Sequence, residues 1–125
     1  MDKKPKILVV EDEGEIRKIM ISFLVSHGFA CVPACSGTEA IETLKKQEFV
    51  LVISDVNMPE GDGLWLLEKA RKQGYLLPFI LMSGDIRSDF SERAKNLGAS
   101  ALLPKPMRGV AVLEVIEAVL KRKIL

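Results

Sequence analysis

The strongest constraint on the fold is a fivefold alternation of apolar runs with amphipathic segments. Three of the runs are continuous, at 7–10, 50–53 and 79–82. Continuous apolar runs of this length are typical of parallel strands that are covered on both faces. Two weaker runs, 29–32 and 101–103, each precede a proline. Because proline cannot donate to a strand ladder, we expect these two strands at the edges of the sheet.

The segments between the runs show helical periodicity. In the first, apolar residues spaced three and four apart form a stripe over 16–24 that ends at His27 and Gly28. In the second, Ser36 followed by Glu39 predicts a capping box at the start of a helix. Apolar residues with similar spacing mark the other three helices, and a glycine closes two of them: Leu64 and Leu67 with Gly74; Phe90, Ala94 and Leu97 with Gly98; Val112, Ile116, Val119 and Leu120.

Strands that alternate with helices imply βαβ units, right-handed crossovers and a parallel sheet. With the second and fifth strands at the edges, the strand order 2-1-3-4-5 is the natural solution. This order defines the flavodoxin-like, doubly wound α/β fold, here a (βα)5 three-layer sandwich, and its ligands bind at the carboxyl ends of strands one and three. No linker, repeat or low-complexity segment is visible, so we predict a single domain over residues 1–125.

Composition and charge exclude several classes of protein. A hydrophobic content of 48% with 28% charged residues is typical of a globular protein. The net charge of +1 argues against a nucleic-acid-binding surface. No apolar segment reaches the roughly 20 residues of a membrane helix, and no signal-peptide core fits before Glu11, so we predict a cytoplasmic protein without membrane contact. Cys31 and Cys35 lack the spacing of a redox motif and are predicted to be reduced thiols.

Polar residues with distinct chemistry follow four of the five predicted strands. Because the carboxyl ends of parallel strands meet at one edge of the sheet, these side chains should lie together. They comprise acidic residues after strands one and three, a hydroxyl after strand four and a lysine after strand five: Glu11, Asp12, Asp55 with Asn57, Ser83, and Lys105 followed by Pro106.

The acidic members of this set predict a divalent cation site. Three carboxylates held together repel one another and favour a bound cation. Mg²⁺ suits them because it prefers oxygen ligands and takes few protein carboxylates, keeping several waters. We assign Asp12 and Asp55 as direct ligands, Glu11 as a ligand through water, and the backbone carbonyl of Asn57 as a further ligand.

The remaining members predict a phosphoryl group beside the cation. The Ser83 hydroxyl can donate to one phosphoryl oxygen, and Lys105 supplies a mobile positive charge for another. A cis peptide at Pro106 would fix the direction of the lysine. Asp55 lies centrally, so attack by its carboxylate on phosphorus, giving an aspartyl-phosphate, is chemically reasonable. Positioning and charge neutralisation are most of what phosphoryl transfer requires.

These motifs resemble those of the response-regulator receiver domains, and the resemblance covers essentially the whole chain. It implies that Asp55 accepts a phosphoryl group, with Mg²⁺, from a sensor histidine kinase or a histidine phosphotransfer protein and is later hydrolysed. The domain would then be a signalling switch that catalyses only its own phosphorylation and dephosphorylation. The matching segments are the acidic pocket at 10–13, the phosphoacceptor loop at 54–59 with 61–63, the hydroxyl and its small neighbour at 83–84, and the lysine-proline pair at 105–106.

Two positions depart from the family pattern. Leu102 stands where the family commonly has a switch aromatic, and Met107 stands where a phenylalanine is frequent. The departure at Leu102 leaves a second hypothesis open, namely a non-phosphorylated pseudo-receiver that acts as a protein-interaction scaffold. A flavin-binding or hydrolytic enzyme fits less well, because the acidic residues after strand one would repel a flavin phosphate and an Asp-x-Asp motif is absent.

Helix five offers a further hypothesis about partners. Besides its core stripe it carries Ala111, Val115 and Ala118, which form either part of a broad core face or a docking strip. A docking strip would serve a downstream protein at the face formed by helix four, strand five and helix five, or a second copy, so that the chain is a monomer or a homodimer. Since the sequence ends at Leu125, just after helix five, we expect a stand-alone regulator.

Overall fold

The five strands form one parallel sheet in the order β2-β1-β3-β4-β5. A computed structural model describes residues 4–84, 88–105 and 109–121, without the side chains of 88–90. The predicted flavodoxin-like α/β fold is confirmed. Strands and helices alternate throughout: β1 (Lys6–Val10), α1 (Gly14–Ser26), β2 (Ala30–Ala34), α2 (Gly37–Lys46), β3 (Leu51–Asp55), α3 (Gly63–Lys72), β4 (Phe79–Ser83), α4 (Ser88–Asn96), β5 (Ala101–Pro104) and α5 (Gly109–Leu120).

Both predicted edge strands lie at the edges, but each continues through its proline. Pro33 lies within β2 opposite Val9, and Pro104 ends β5 opposite Ser83. An edge strand has one side without a ladder, where the missing N–H of proline costs no hydrogen bond. The edge prediction is therefore confirmed, although the strands were expected to stop before their prolines.

The core has two layers because successive strand residues point to opposite faces of the sheet. In β1, Leu8 and Val10 join the apolar cluster beneath α2, α3 and α4. Ile7 and Val9 belong to the cluster beneath α1 and α5. All four side chains are fully buried, as expected for a parallel strand covered on both faces.

The N-terminus of α2 contains the predicted capping box. The Ser36 hydroxyl accepts from the Glu39 N–H at 3.1 Å, and the Glu39 carboxylate accepts from the Cys35 N–H at 2.7 Å. The glutamate thus accepts from Cys35, the residue before the N-cap, and the two hydrogen bonds fix the start of the helix.

The other predicted helices are also present, with one difference in burial. Ile19, part of the predicted apolar stripe of α1, is 69% exposed. The side chain of Phe90 and residues 106–108, including Pro106 and Met107, lie outside the described part of the chain. Among the described residues, no helix combines the length and the apolar character needed to cross a bilayer.

Candidate functional site

Four strand ends bring the predicted polar residues to one edge of the sheet. Asp55 is the last residue of β3 and lies opposite Met82 of β4, next to Ser83. The Lys105 N–H donates to the Ser83 carbonyl at 2.8 Å, which joins the ends of β4 and β5. Glu11 follows β1 directly, and its N–H donates to the Ala34 carbonyl at the end of β2 at 3.0 Å. The parallel register therefore determines which side chains meet.

The three predicted carboxylates form a compact cluster. One oxygen from each of Glu11, Asp12 and Asp55 lies within 4.8 Å of the others. Glu11 and Asp55 are buried, at 1% and 5% exposure, whereas Asp12 is exposed. Three carboxylate oxygens with one side open to water suit a hard dication such as Mg²⁺, which retains several waters. The donor set therefore fits a magnesium ion, which would supply charge neutralisation at this edge.

Lys105 links two of these carboxylates. Its ammonium lies 2.9 Å from Oε1 of Glu11 and 3.3 Å from Oδ1 of Asp55. Burial alone would lower the pKa of Lys105, but the hydrogen bond to Glu11 and the charges of Asp55 and Glu11 outweigh it and raise the pKa. The ammonium is thus held in its charged form beside the cluster.

The pKa of Glu11 is also raised, although a lysine partner by itself would lower it. Burial is the largest cause, and the negative charge of Asp55 adds to it. The hydrogen bonds from Lys105 and from the Glu13 N–H oppose the rise without cancelling it. Glu11 is consequently a buried carboxylate whose charged form nearby cations help to stabilise.

Ser83 and Asn57, the other predicted site residues, differ in burial. Ser83 is buried at 1% exposure at the end of β4, next to the cluster. Asn57 follows Asp55 by two residues and is exposed, and its carbonyl as a metal ligand stays a prediction. Leu102 is partly buried against the apolar cluster beneath α2, α3 and α4. The cis peptide at Pro106 falls outside the described residues.

Arg17 belongs to the site but was not predicted from the sequence. Its Nη1 donates to the main-chain carbonyl of Glu11 at 2.7 Å. The only sequence signal is its position at the end of the first turn of α1, close to the acidic residues. Helical periodicity does not reveal the direction of a long side chain.

The loop after β3, which precedes α3, is held at both ends. The Val56 N–H donates to the Met82 carbonyl at 2.9 Å, and the Gly63 N–H donates to the Val56 carbonyl at 2.9 Å. Farther along the loop, the Gly61 carbonyl accepts from the Gly37 N–H at 2.9 Å. The loop therefore satisfies part of the free N-terminus of α2 and is itself fixed by that helix.

An apolar groove of about 680 Å³ lies beside the cluster, with Lys105 at its edge. It runs between α1 and the start of α5, and the exposed Ile19 is part of its wall. Within the described part of the chain this apolar surface is exposed beside a polar site, which is typical of a protein-interaction surface. Its other lining residues are Ile16, Met20, Phe23, Met82, Gly109 and Val112.

Comparison with known proteins gives consistent results. A family model described as the response regulator receiver domain matches residues 7–117. The sensor histidine kinase RcsC of Escherichia coli is 35% identical over 101 residues, which cover 81% of this chain and 11% of the kinase. The transcriptional regulatory protein TctD of Salmonella typhimurium is 34% identical over 119 residues, which cover 94% of this chain and 52% of that protein. The chain thus spans about a tenth of one relative and about half of the other.

Solved structures agree with the fold. The response regulator receiver domain protein (CheY-like) from Methanospirillum hungatei superposes with a TM-score of 0.90 at 28% identity, with 95% of each chain covered. The chemotaxis protein CheY4 of Vibrio cholerae gives a TM-score of 0.89 at 28% identity, with 94% of this chain and 99% of that chain covered.

Proposed function

Because the chain belongs to the response regulator receiver domain family, we propose that it is a phosphorylation-dependent response regulator with Asp55 as phosphoacceptor. It is a signalling domain of two-component systems rather than a classical enzyme. The observation that carries the proposal is Lys105, whose ammonium lies within 3.3 Å of Asp55 inside an acidic cluster fit for a dication. A carboxylate between a dication site and an ammonium is poised to accept a phosphoryl group.

The proposed reaction is transfer from a phosphohistidine. An oxygen of Asp55 forms a bond to phosphorus while the P–N bond of the donor breaks, and the electron pair returns to the imidazole, which takes up a proton from water. Lys105 neutralises charge on the phosphoryl oxygens, and the Ser83 hydroxyl donates to one of them. Glu11, Asp12, Asp55 and the Asn57 carbonyl would hold Mg²⁺. Later attack by water on the aspartyl-phosphate returns the carboxylate and ends the signal.

The test uses a small phosphodonor such as acetyl phosphate with Mg²⁺, followed by intact-mass spectrometry. We expect one phosphoryl group on the wild type, stable in acid and labile in base, and none on Asp55→Asn. Asp62→Asn is a matched control, because Asp62 lies on the same loop, is exposed and caps α3 through the Trp65 N–H at 2.8 Å. An asparagine keeps this cap, so phosphorylation of that variant should be normal.

Two results would refute this function. Phosphorylation of Asp55→Asn at the wild-type level would show that another residue is the acceptor. A wild type that binds Mg²⁺ but remains unmodified would favour the alternative, a pseudo-receiver scaffold, for which Leu102 is the supporting residue.

A protein donor, either a sensor histidine kinase or a histidine phosphotransfer protein, is proposed as the physiological partner. The apolar groove beside Lys105 supports it, because it offers a contact surface next to the acceptor. Ile19→Asp places a charge on the groove wall at a 69% exposed position. This variant should lose transfer from a phosphorylated histidine protein while keeping transfer from acetyl phosphate, and an equal effect on both donors would contradict the docking role.

For the output we propose the face formed by α4, β5 and α5. Ala111 and Ala118 are exposed on α5 and Val115 between them is partly buried, which supports a docking strip more than a broad core face. Ala118→Arg should weaken binding of a downstream protein or of a second copy, measured by light scattering and pull-down with the phosphorylated protein. If neither changes, the strip has no docking role.

Cytoplasmic location and a stand-alone arrangement stay predictions.

A further inference from the structure

Arg17 makes a specific contact with the main chain of the acidic cluster. Its Nη1 donates to the Glu11 carbonyl at 2.7 Å, a short bond of the charge-assisted kind. The side chain is partly buried and extends from α1 past Gly14, whose added Cβ would lie 3.6 Å from Nη2. Arg17 therefore connects the first turn of α1 to the peptide that follows Glu11.

That peptide determines where Asp12 lies. The Glu11 carbonyl and the Asp12 N–H belong to one planar peptide unit. A hydrogen bond to the carbonyl therefore fixes the orientation of the peptide plane that precedes Asp12. Glu11 has other restraints on its side chain, from the Lys105 ammonium at 2.9 Å and the Glu13 N–H at 3.3 Å. Within the described part of the chain, no hydrogen bond to the Asp12 carboxylate is found, so its placement depends on the backbone.

We propose that Arg17 is a positioning residue of the metal site, which directs Asp12 at the divalent cation by holding the Glu11 carbonyl. This inference rests on the proposed Mg²⁺ site. Arg17 acts by orientation and not by charge. Its guanidinium would repel a dication, and by charge alone it would weaken the binding of Mg²⁺. Residues that orient a metal ligand by a hydrogen bond, without binding the metal themselves, typically contribute 10–100-fold to metal affinity. Since the site faces water and surface charges are screened, we expect orientation to outweigh repulsion.

The experiment measures Mg²⁺ binding by calorimetry on the wild type, Arg17→Met, Arg17→Lys and Lys18→Met. Methionine keeps the aliphatic stem and removes the donors, whereas lysine keeps one donor that can reach the carbonyl. Lys18 is the next residue on α1 and is exposed, so Lys18→Met removes the same charge without the hydrogen bond. Urea unfolding without Mg²⁺ gives the folded fraction of each variant, and Arg17→Gln replaces Arg17→Met if the latter does not fold.

We expect Arg17→Met to bind Mg²⁺ about tenfold more weakly, Arg17→Lys to recover most of the loss, and Lys18→Met to bind as the wild type does. At saturating Mg²⁺, the rate of Asp55 phosphorylation by acetyl phosphate should approach the wild-type rate in Arg17→Met, because the defect is in cation binding.

Unchanged or tighter binding in Arg17→Met would overturn the inference and leave the phosphoacceptor proposal intact. An Arg17→Lys variant no better than Arg17→Met also counts against it, since the carbonyl bond would then not be the cause. A wild type that binds no Mg²⁺ would show that the metal assignment is wrong, and the role of Arg17 with it.

Discussion

Arg71, in the last turn of α3, joins this helix to the α3–β4 connection and to the segment after α4, at the end of the sheet opposite the candidate site. Its Nη1 donates to the carbonyls of Tyr75 and Leu77 at 2.8 and 3.0 Å, and its Nη2 donates to the Gly98 carbonyl at 3.0 Å. The guanidinium also lies 5.2 Å from the centroid of the buried Phe79 ring. Arg71→Met should therefore detach the end of α4 and the α3–β4 connection while it leaves the acidic cluster of Glu11, Asp12 and Asp55 intact.

The magnitude follows from these contacts. A hydrogen bond from a charged donor contributes about 1.5–3 kcal/mol when it is well buried. Arg71 is only partly buried, and water can replace it at the three carbonyls, so we take about 1 kcal/mol for each bond after screening. Methionine keeps an apolar contact with Phe79, which offsets part of the lost cation–π attraction. The expected loss is about 3 kcal/mol, a sizeable part of the roughly 5–15 kcal/mol of a domain this size.

Urea unfolding followed by circular dichroism measures this loss. With an m-value of roughly 1–3 kcal/mol/M, the midpoint should fall by roughly 1–3 M. Lys72→Met is the matched control, because Lys72 is the next residue on α3 and is exposed, and it should stay within about 0.5 kcal/mol of the wild type. Arg71→Lys should lie between the two, since an ammonium cannot reproduce the planar fork.

The reasoning is refuted if Arg71→Met is no less stable than Lys72→Met. It is also refuted if Arg71→Met loses Asp55 phosphorylation while fully folded, because the site would then depend on a contact at the far end of the sheet.

Two further predictions concern backbone packing and thiol chemistry. Gly63→Ala should lower the free energy of unfolding, measured in urea, by about 1–3 kcal/mol and slow phosphorylation of Asp55, because an added Cβ would lie 2.6 Å from the Asp55 carbonyl oxygen. Gly84→Ala should lower it far less, because no atom of the described residues lies within 4 Å of its added Cβ. Equal losses in the two variants would contradict the steric argument. Burial raises the pKa of Cys31 to about 11, so at pH 8 only about one Cys31 thiol in a thousand is ionised. Ellman's reagent should therefore find one fast thiol, the exposed Cys35, and this fast reaction should disappear in Cys35→Ser. Two fast thiols would be inconsistent with the burial of Cys31.

The fold could be predicted because its determinants are local and repeated. The continuous apolar run of β1 identifies a strand covered on both faces, and the prolines at 33 and 104 identify the two edges. With these two edges, right-handed connections between neighbouring strands favour the order 2-1-3-4-5. The exact strand ends were missed, because an edge position removes the usual penalty for proline.

The acidic cluster was equally predictable, since the topology alone brings Glu11, Asp12 and Asp55 to the carboxyl edge. The restraints around it were not. The hydrogen bond from Arg17 depends on the direction of a long side chain, and the hydrogen bond from the Gly37 N–H of α2 to the Gly61 carbonyl depends on the course of a loop. The exposure of Ile19 was missed because helical periodicity identifies an apolar face but does not show whether a neighbouring helix covers it.

The charges of the site explain why metal binding and phosphorylation should be coupled. The three carboxylates outnumber the Lys105 ammonium by two formal negative charges, which a divalent cation would balance, while the Arg17 guanidinium contacts the Glu11 main chain. Burial raises the pKa of Glu11, and a nearby positive charge opposes that rise. Phosphorylation would add about one further negative charge beyond Asp55 and attract Lys105 away from Glu11. Since Glu11 would then lose its ammonium partner, the cation becomes its main compensating charge, and the phosphorylated state should require Mg²⁺ more strongly than the free one.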